Sequence, residues 1–122
     1  MLAGHSALAH GAFADAKETV YRVGLVGCGG RGTGAARQTL VADPRVELVA
    51  LADAFEDALA NSHSALLRTE VADRVKVDPE KMFHGLDAYQ KLIDSDVDLV
   101  LLATPPFFRP QHLRACIEAG KH

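Results

Sequence analysis

Six consecutive residues, Gly27-Cys28-Gly29-Gly30-Arg31-Gly32, carry glycines at the spacing G-x-G-x-x-G through Gly27, Gly29 and Gly32. This spacing suits a strand-to-helix turn that receives phosphate. The first glycine permits a tight turn, the second removes the Cβ that would hold a pyrophosphate off the backbone, and the third lets the helix approach the strand. The N–H groups of the first helical turn, which have no partner within the helix, then face the anion. Glycine-rich turns also occur where a strand and a helix simply pack closely, so the motif takes its meaning from its surroundings. Cys28 and Gly30 lie in the same turn and are candidate contacts, whereas Arg31 either pairs with a phosphate or stands in solvent.

Asp53 follows Gly32 by 21 residues. An acid about 20 residues beyond such a loop is placed to accept hydrogen bonds from the adenosine ribose hydroxyls of a dinucleotide. Its charge repels a 2′-phosphate, and Ala54 and Phe55 follow it rather than an arginine, so NAD is favoured over NADP. Asp53 could also cap the next helix, and the two roles are compatible. A third candidate element, Thr104-Pro105-Pro106-Phe107-Phe108-Arg109, leaves a strand expected beside the first, where open α/β sheets bind ligands. It reads either as a contact with the middle or nicotinamide end of the cofactor or as a plain proline-punctuated loop before a helix.

The elements that must position these residues alternate. Tyr21 to Gly27 is a short apolar run ending in glycine, as in a buried parallel strand, and Gly34 to Val41 has the small-residue spacing of a helix closely packed on a sheet. Asp43-Pro44 ends that helix. Val46 to Ala52 predicts a second strand that delivers Asp53 to its carboxyl end. Phe55, Ala58, Leu59, Ser62, Ala65 and Leu66 predict a helix, and Thr69 to Lys81 a loop with a brief strand at Val75 to Val77. Met82-Phe83-His84 predicts a short third strand, followed by a helix with Tyr89, Leu92 and Ile93 on one face. Val97 to Ala103, with six apolar residues and one Asp, predicts the fourth strand. A last helix follows, with Pro110 in its first turn, Leu113, Cys116 and Ile117 on its packed face and Gly120 at its carboxyl cap. Right-handed crossovers would set these strands in a parallel sheet of order 3-2-1-4 with helices on both faces, a Rossmann-type α/β domain ending after its fourth β-α unit.

Length and composition agree with one domain. The chain has 122 residues, 48% hydrophobic, 24% charged and 6% aromatic, with a net charge of −3. Basic residues are scattered, which argues against a nucleic-acid partner, and no run approaches the roughly 20 apolar residues that cross a bilayer. Cys28 and Cys116 lack C-x-x-C spacing and are expected unpaired; the six histidines never recur at i, i+4, so no metal site is expected. Residues 1–20 read as a disordered arm or the remnant of an export leader, with Ala12-Phe13-Ala14 resembling a cleavage pattern, and residues 21–122 as the NAD(P)-binding domain. The compartment is then cytoplasmic, or periplasmic if the leader reading holds.

The series Val23-Gly24-Leu25-Val26-Gly27-Cys28-Gly29-Gly30-Arg31-Gly32, Leu51-Ala52-Asp53, Val97 to Pro106 and Ala119-Gly120-Lys121-His122 resembles the glucose-fructose oxidoreductase and inositol dehydrogenase (Gfo/Idh/MocA-like) family over residues 21–122. The Ala-Thr-Pro element at Ala103 to Pro105 and the Ala-Gly-Lys-His run are its most specific parts. The resemblance implies an NAD-dependent oxidoreductase acting on a carbon centre of a sugar, polyol or related small molecule. It also implies a following strand, a Glu-Lys-Pro motif with a catalytic lysine and a substrate domain, none of which lies within these 122 residues. Pro105-Pro106 stands where Pro-Asn is more usual. The expectation is a chain that binds NAD weakly, turns over nothing by itself, and self-associates or is poorly soluble through an uncovered fourth strand. His112 and Lys121 are the titratable candidates near the nicotinamide end, His112 as a first-turn helix residue and Lys121 as leading towards a further strand. The rival readings are a noncatalytic nucleotide-sensing or protein-interaction module and an S-adenosylmethionine-binding domain.

Overall fold

Alternating burial on both faces of a parallel sheet organises the chain. The computed structural model describes residues 19–122. The expectations of a leader remnant and of a disordered arm fall on residues 1–20 and so lie almost wholly outside the described residues. The strands are β1 (Tyr21–Val26), β2 (Val46–Asp53), β3 (Met82–His84) and β4 (Leu99–Leu102). The helices are α1 (Gly30–Ala42), α2 (Glu56–Leu67), α3 (Ala88–Ile93) and α4 (Arg109–Glu118). All pairings are parallel and the sheet order is β3-β2-β1-β4, as the crossover rule requires. No described helix is long and apolar enough to cross a membrane.

Because side chains alternate along a strand, β1 sends Val23 and Leu25 to one face and Val26 to the other. On the first face these meet Ala36 and Leu40 of α1 and Leu59 and Leu66 of α2. The second face packs Val26, Ala50 and Ala52 against Ala88, Leu92 and Ile93 of α3 and Cys116 of α4. Burying one such leucine contributes roughly 2 kcal/mol, so these two layers are the main favourable term in holding the sheet.

Several boundaries differ from the sequence reading. Helix α1 begins at Gly30 rather than Gly34, so the second half of the glycine motif, Gly30 to Gly32, lies in the first helical turn. Gly30 and Gly32 tolerate that turn because neighbouring packing, rather than propensity, fixes it. The brief strand at Val75 to Val77 is reduced to one parallel bridge between Val75 and Leu48, flanked by 3₁₀ turns at Ala72–Arg74 and Pro79–Lys81. Strand β4 is shorter than Val97 to Ala103, although Ala103 still donates its N–H to the Val26 carbonyl. In α4 the packed face is His112 and Cys116, while Leu113 and Ile117 are 52% and 66% exposed. Only a narrow stripe of this helix meets the sheet and α3, so the wider apolar face read from the sequence turns partly to solvent.

The carboxyl end of α4 closes as expected. Gly120 takes φ +71° and donates to Ile117, and Lys121 donates to Cys116, which is the paired geometry of a Schellman cap. The chain then turns back beside β4: the His122 N–H reaches the Asp98 carbonyl and the Val100 N–H reaches the His122 carbonyl, a parallel pairing on the far edge of β4.

The segment between α2 and β3 is held by a residue that periodicity does not mark. The Arg74 guanidinium donates to the carbonyls of Leu40 at 2.6 Å, Asp43 at 3.0 Å and Val46 at 2.9 Å. It therefore satisfies the Leu40 carbonyl, one of those that the end of α1 leaves without a helical donor, and ties it to the Asp43 and Val46 carbonyls at the turn into β2. Replacing Arg74 by Met should lower unfolding stability by about 2 kcal/mol, since hydrogen bonds from a charged donor are lost while the stem volume is kept. A urea melt with a lower midpoint and unchanged slope is the expected result.

Candidate dinucleotide-binding site

The three motif glycines occupy three different environments. Gly27 has φ +97°, and a Cβ there would lie 2.6 Å from the Ala103 carbonyl carbon and 2.8 Å from the Thr104 nitrogen. Any other residue would be strained and would push the Thr104 loop away from β1. At Gly32 a Cβ would fall 1.8 Å from the Gly27 carbonyl oxygen, so its absence lets α1 seat on the end of β1. Gly29 differs from both: nothing lies within 4 Å of the Cβ position. It is the N-cap of α1, its carbonyl accepting from Thr33 N–H at 2.9 Å, which leaves the amides of the first turn without helical acceptors.

Beside this turn an open cleft of about 490 Å³ runs across the carboxyl ends of the strands. Gly27, Gly29, Asp53, Thr104 and Pro105 line it, together with Phe55, Gly85, Leu86, Tyr89, Phe108 and His112. A neighbouring hollow between α1 and α2 is lined by Cys28, Gly29 and Gly30. Among the residues marked in the glycine turn and the Thr104 to Arg109 element, Gly32, Arg31, Pro106, Phe107 and Arg109 border neither space. Gly32 is buried beneath the turn; Arg31 and Pro106 are exposed.

Asp53 ends β2, and both its carboxylate oxygens accept backbone N–H groups, Oδ2 from Cys28 at 2.7 Å and Oδ1 from Phe55 at 2.9 Å. The second contact is an Asx turn, and the N-cap position of α2 belongs to Phe55. Each oxygen keeps acceptor capacity for a further donor. The Cys28 thiol points into the core and donates to the Ala52 carbonyl at 3.5 Å. Burial, then the nearby Asp53 charge, pushes it up to about 12, so it stays protonated and Cys28 presents only main chain to the turn.

Strand β4 brings Thr104 to the opposite wall. Its hydroxyl pairs with His112 Nδ1 at 3.1 Å, and its carbonyl accepts from Arg109 Nε at 2.8 Å. The His112 ring stacks on Tyr89 with centroids 4.1 Å apart, and burial lowers its pKa below the ordinary histidine value, so it is neutral at pH 7. Sequence periodicity placed His112 in a helical first turn without marking it as buried or as a partner of Thr104; the i, i+4 pair of His112 and Cys116 was the available signal. Lys121 lies elsewhere, its Nζ donating to the Val97 carbonyl at 2.8 Å at the amino end of β4. The sheet separates it from the cleft.

A glycine turn with an open second position, an acid at the end of β2 and a cleft at the point where strand order reverses define a dinucleotide-binding Rossmann domain. A model of the oxidoreductase family with an NAD-binding Rossmann fold matches residues 21–122, and the chain belongs to this Gfo/Idh/MocA family. A protein of Solibacter usitatus named glycosyl hydrolase family 109 protein is 32% identical over 103 residues, covering 83% of this chain and 22% of that protein. The WlbA dehydrogenase from Bordetella pertussis, solved with NADH and UDP-GlcNAcA, superposes with a TM-score of 0.63 at 25% identity, covering 86% of this chain and 26% of the other. The scyllo-inositol dehydrogenase of Lactobacillus casei, solved with NAD(H) and scyllo-inositol, shares the fold with a TM-score of 0.60 at 21% identity over 85% of this chain and 27% of its own. The chain thus spans about a fifth of the curated relative it matches. NAD is the cofactor of this domain.

The glycine environments separate binding from folding. Gly29→Val enters open space at an extended backbone position, so it should leave the thermal melt nearly unchanged while abolishing NADH binding. Gly32→Ala, by contrast, should cost about 3 kcal/mol of stability through overpacking against the Gly27 carbonyl. Calorimetric melts and NADH titration of the two variants check both outcomes.

Proposed function

We propose that residues 21–122 form the cofactor-holding domain of an oxidoreductase acting on a sugar, polyol or related small molecule, with NAD laid across the cleft. The reading is carried by the open space over Gly29 next to the unpaired amides of α1. In this arrangement Gly27, Cys28, Gly29, Gly30 and Gly32 form the pyrophosphate turn, with Cys28 acting through its backbone and Gly32 through packing. Asp53 accepts from the adenosine ribose, and Thr104 and Pro105 border the nicotinamide half. Arg31 and Pro106 stand at the rim, where Arg31 can reach a phosphate only from solvent. Bound NAD supplies the hydride-accepting ring; the protein's own work is to bind, orient and exclude water.

A sugar-like substrate is supported by the names of the relatives, two of which are dehydrogenases solved with inositol or a nucleotide sugar and one a glycosyl hydrolase. The absence of turnover by these 122 residues alone is supported by the cleft's titratable side chains, which are Asp53, Tyr89 and His112. Asp53 and His112 are engaged as described, and Tyr89 Oη accepts from Gln111 at 2.9 Å. On this reading each is committed to the cofactor or to the cleft wall rather than to accepting a hydroxyl proton from a substrate carbon held at near-attack distance. Assay of the purified chain with NAD and a panel of sugars and polyols should show no NADH formation; turnover that disappears in His112→Ala would overturn this.

Cofactor choice follows from Asp53. Asp53→Ala removes the ribose acceptor and the charge that opposes a 2′-phosphate, so NAD affinity should fall about tenfold while NADP affinity falls less or rises. Equal losses for both cofactors would contradict the role. We further propose that β4 supports self-association, because His122 pairs only with the Asp98 and Val100 positions and the edge beyond Val100 has no described strand beside it. Sedimentation velocity should show a concentration-dependent shift; a sharp monomer over a wide concentration range would oppose it.

A further inference from the structure

We propose that His112 is a positioning residue for the cofactor, fixing the Thr104 hydroxyl at the wall of the cleft. This rests on the reading that Thr104 faces the dinucleotide. The loop that follows β4 has few other restraints: Pro105 and Pro106 have no N–H to give the sheet, and Pro105 to Phe108 lie exposed. Ala103 makes the last sheet contact, through its N–H to Val26. Beyond it, two side chains of α4 hold Thr104, Arg109 at the carbonyl from solvent and His112 at the hydroxyl from the interior.

The chemistry of position 112 favours a directed role over simple filling. Among the described residues His112 and Ser62 are the buried polar residues, His112 being 6% exposed. Desolvating an imidazole is costly, and an apolar residue of similar volume would fill the space without that cost. Instead the ring is fixed by stacking on Tyr89 at 4.1 Å and by near-parallel contact with Phe108 at 6.0 Å, which aims Nδ1 at Thr104 Oγ1. The helix reinforces the aim, since His112 N–H donates to the Phe108 carbonyl at 3.1 Å. A threonine hydroxyl has one donor and two acceptor sites, and the ring consumes one of them. The remainder is held towards the cleft that Thr104 lines. The Thr104 rotamer is then set before any ligand arrives, and the cofactor does not have to order it.

The test is an NADH titration of single and double variants of the whole chain, with thermal melts of each. Thr104→Val and His112→Ala should each weaken NADH about five- to tenfold, and the double variant should be no weaker than either single, as expected for residues acting as one unit. His112→Asn, whose amide overlays the Nδ1 position, should stay within about twofold of the unaltered chain, whereas His112→Gln, whose amide overlays Nε2, should fall with the alanine variant. If His112→Ala does not fold, the Asn and Gln pair carries the same discrimination. Losses that multiply in the double variant, or Asn and Gln variants that behave alike, overturn the role of His112 while leaving Thr104 as a contact. Unchanged affinity in Thr104→Val overturns the Thr104 reading, and the proposal with it.

Discussion

The contact between Gly32 and the Gly27 carbonyl oxygen constrains everything around it. A Cβ at Gly32 would sit 1.8 Å from that oxygen, so α1 reaches the end of β1 only because none is there. The same peptide region meets the chain just beyond β4, since a Cβ at Gly27 would strike the Ala103 and Thr104 backbone. Three main-chain segments therefore converge where no side chain fits. The floor of the cleft is backbone, and the first-turn amides of α1 lie beside it. A dinucleotide pyrophosphate is matched by such amides and a helix N-terminus without any cationic side chain.

Side chains divide the remaining work by depth. Those under the turn are sealed: the Cys28 thiol is kept protonated by burial and the Asp53 charge, and Ala52 lies wholly within the second core layer. Polar side chains at the walls, Asp53 and Thr104, are each tied to a second element, the first to the glycine turn and the second to α4. At the mouth of the cleft Phe55 and Leu86 stand open to solvent, 69% and 77% exposed.

Much of this was legible in the sequence because it rests on local rules. Glycine spacing, apolar runs of strand length and an acid at a strand end each follow from backbone sterics or burial, and the observed order β3-β2-β1-β4 follows from crossover handedness. What escaped depends on contacts distant in sequence. The Arg74 side chain satisfies carbonyls some 30 residues earlier, and no pattern around Arg74 signals it. The rotation of α4 that buries His112 and exposes Leu113 and Ile117 is decided by how α4 meets α3, which periodicity alone does not state. The early start of α1 reverses the usual meaning of glycine as a helix breaker, because packing against β1 outweighs an intrinsic cost of about 1 kcal/mol per glycine.

Asp53 is a strut before it is a reader. Its two oxygens accept from the Cys28 and Phe55 amides, so the carboxylate is anchored at both ends and swinging it aside would break both bonds. The same bonds brace the glycine turn from below. On the proposed ribose role, cofactor preference and the shape of the phosphate cradle are inherited together: a change at position 53 that relieves the repulsion of a 2′-phosphate also removes a brace of the turn, so part of what the phosphorylated dinucleotide gains there is offset.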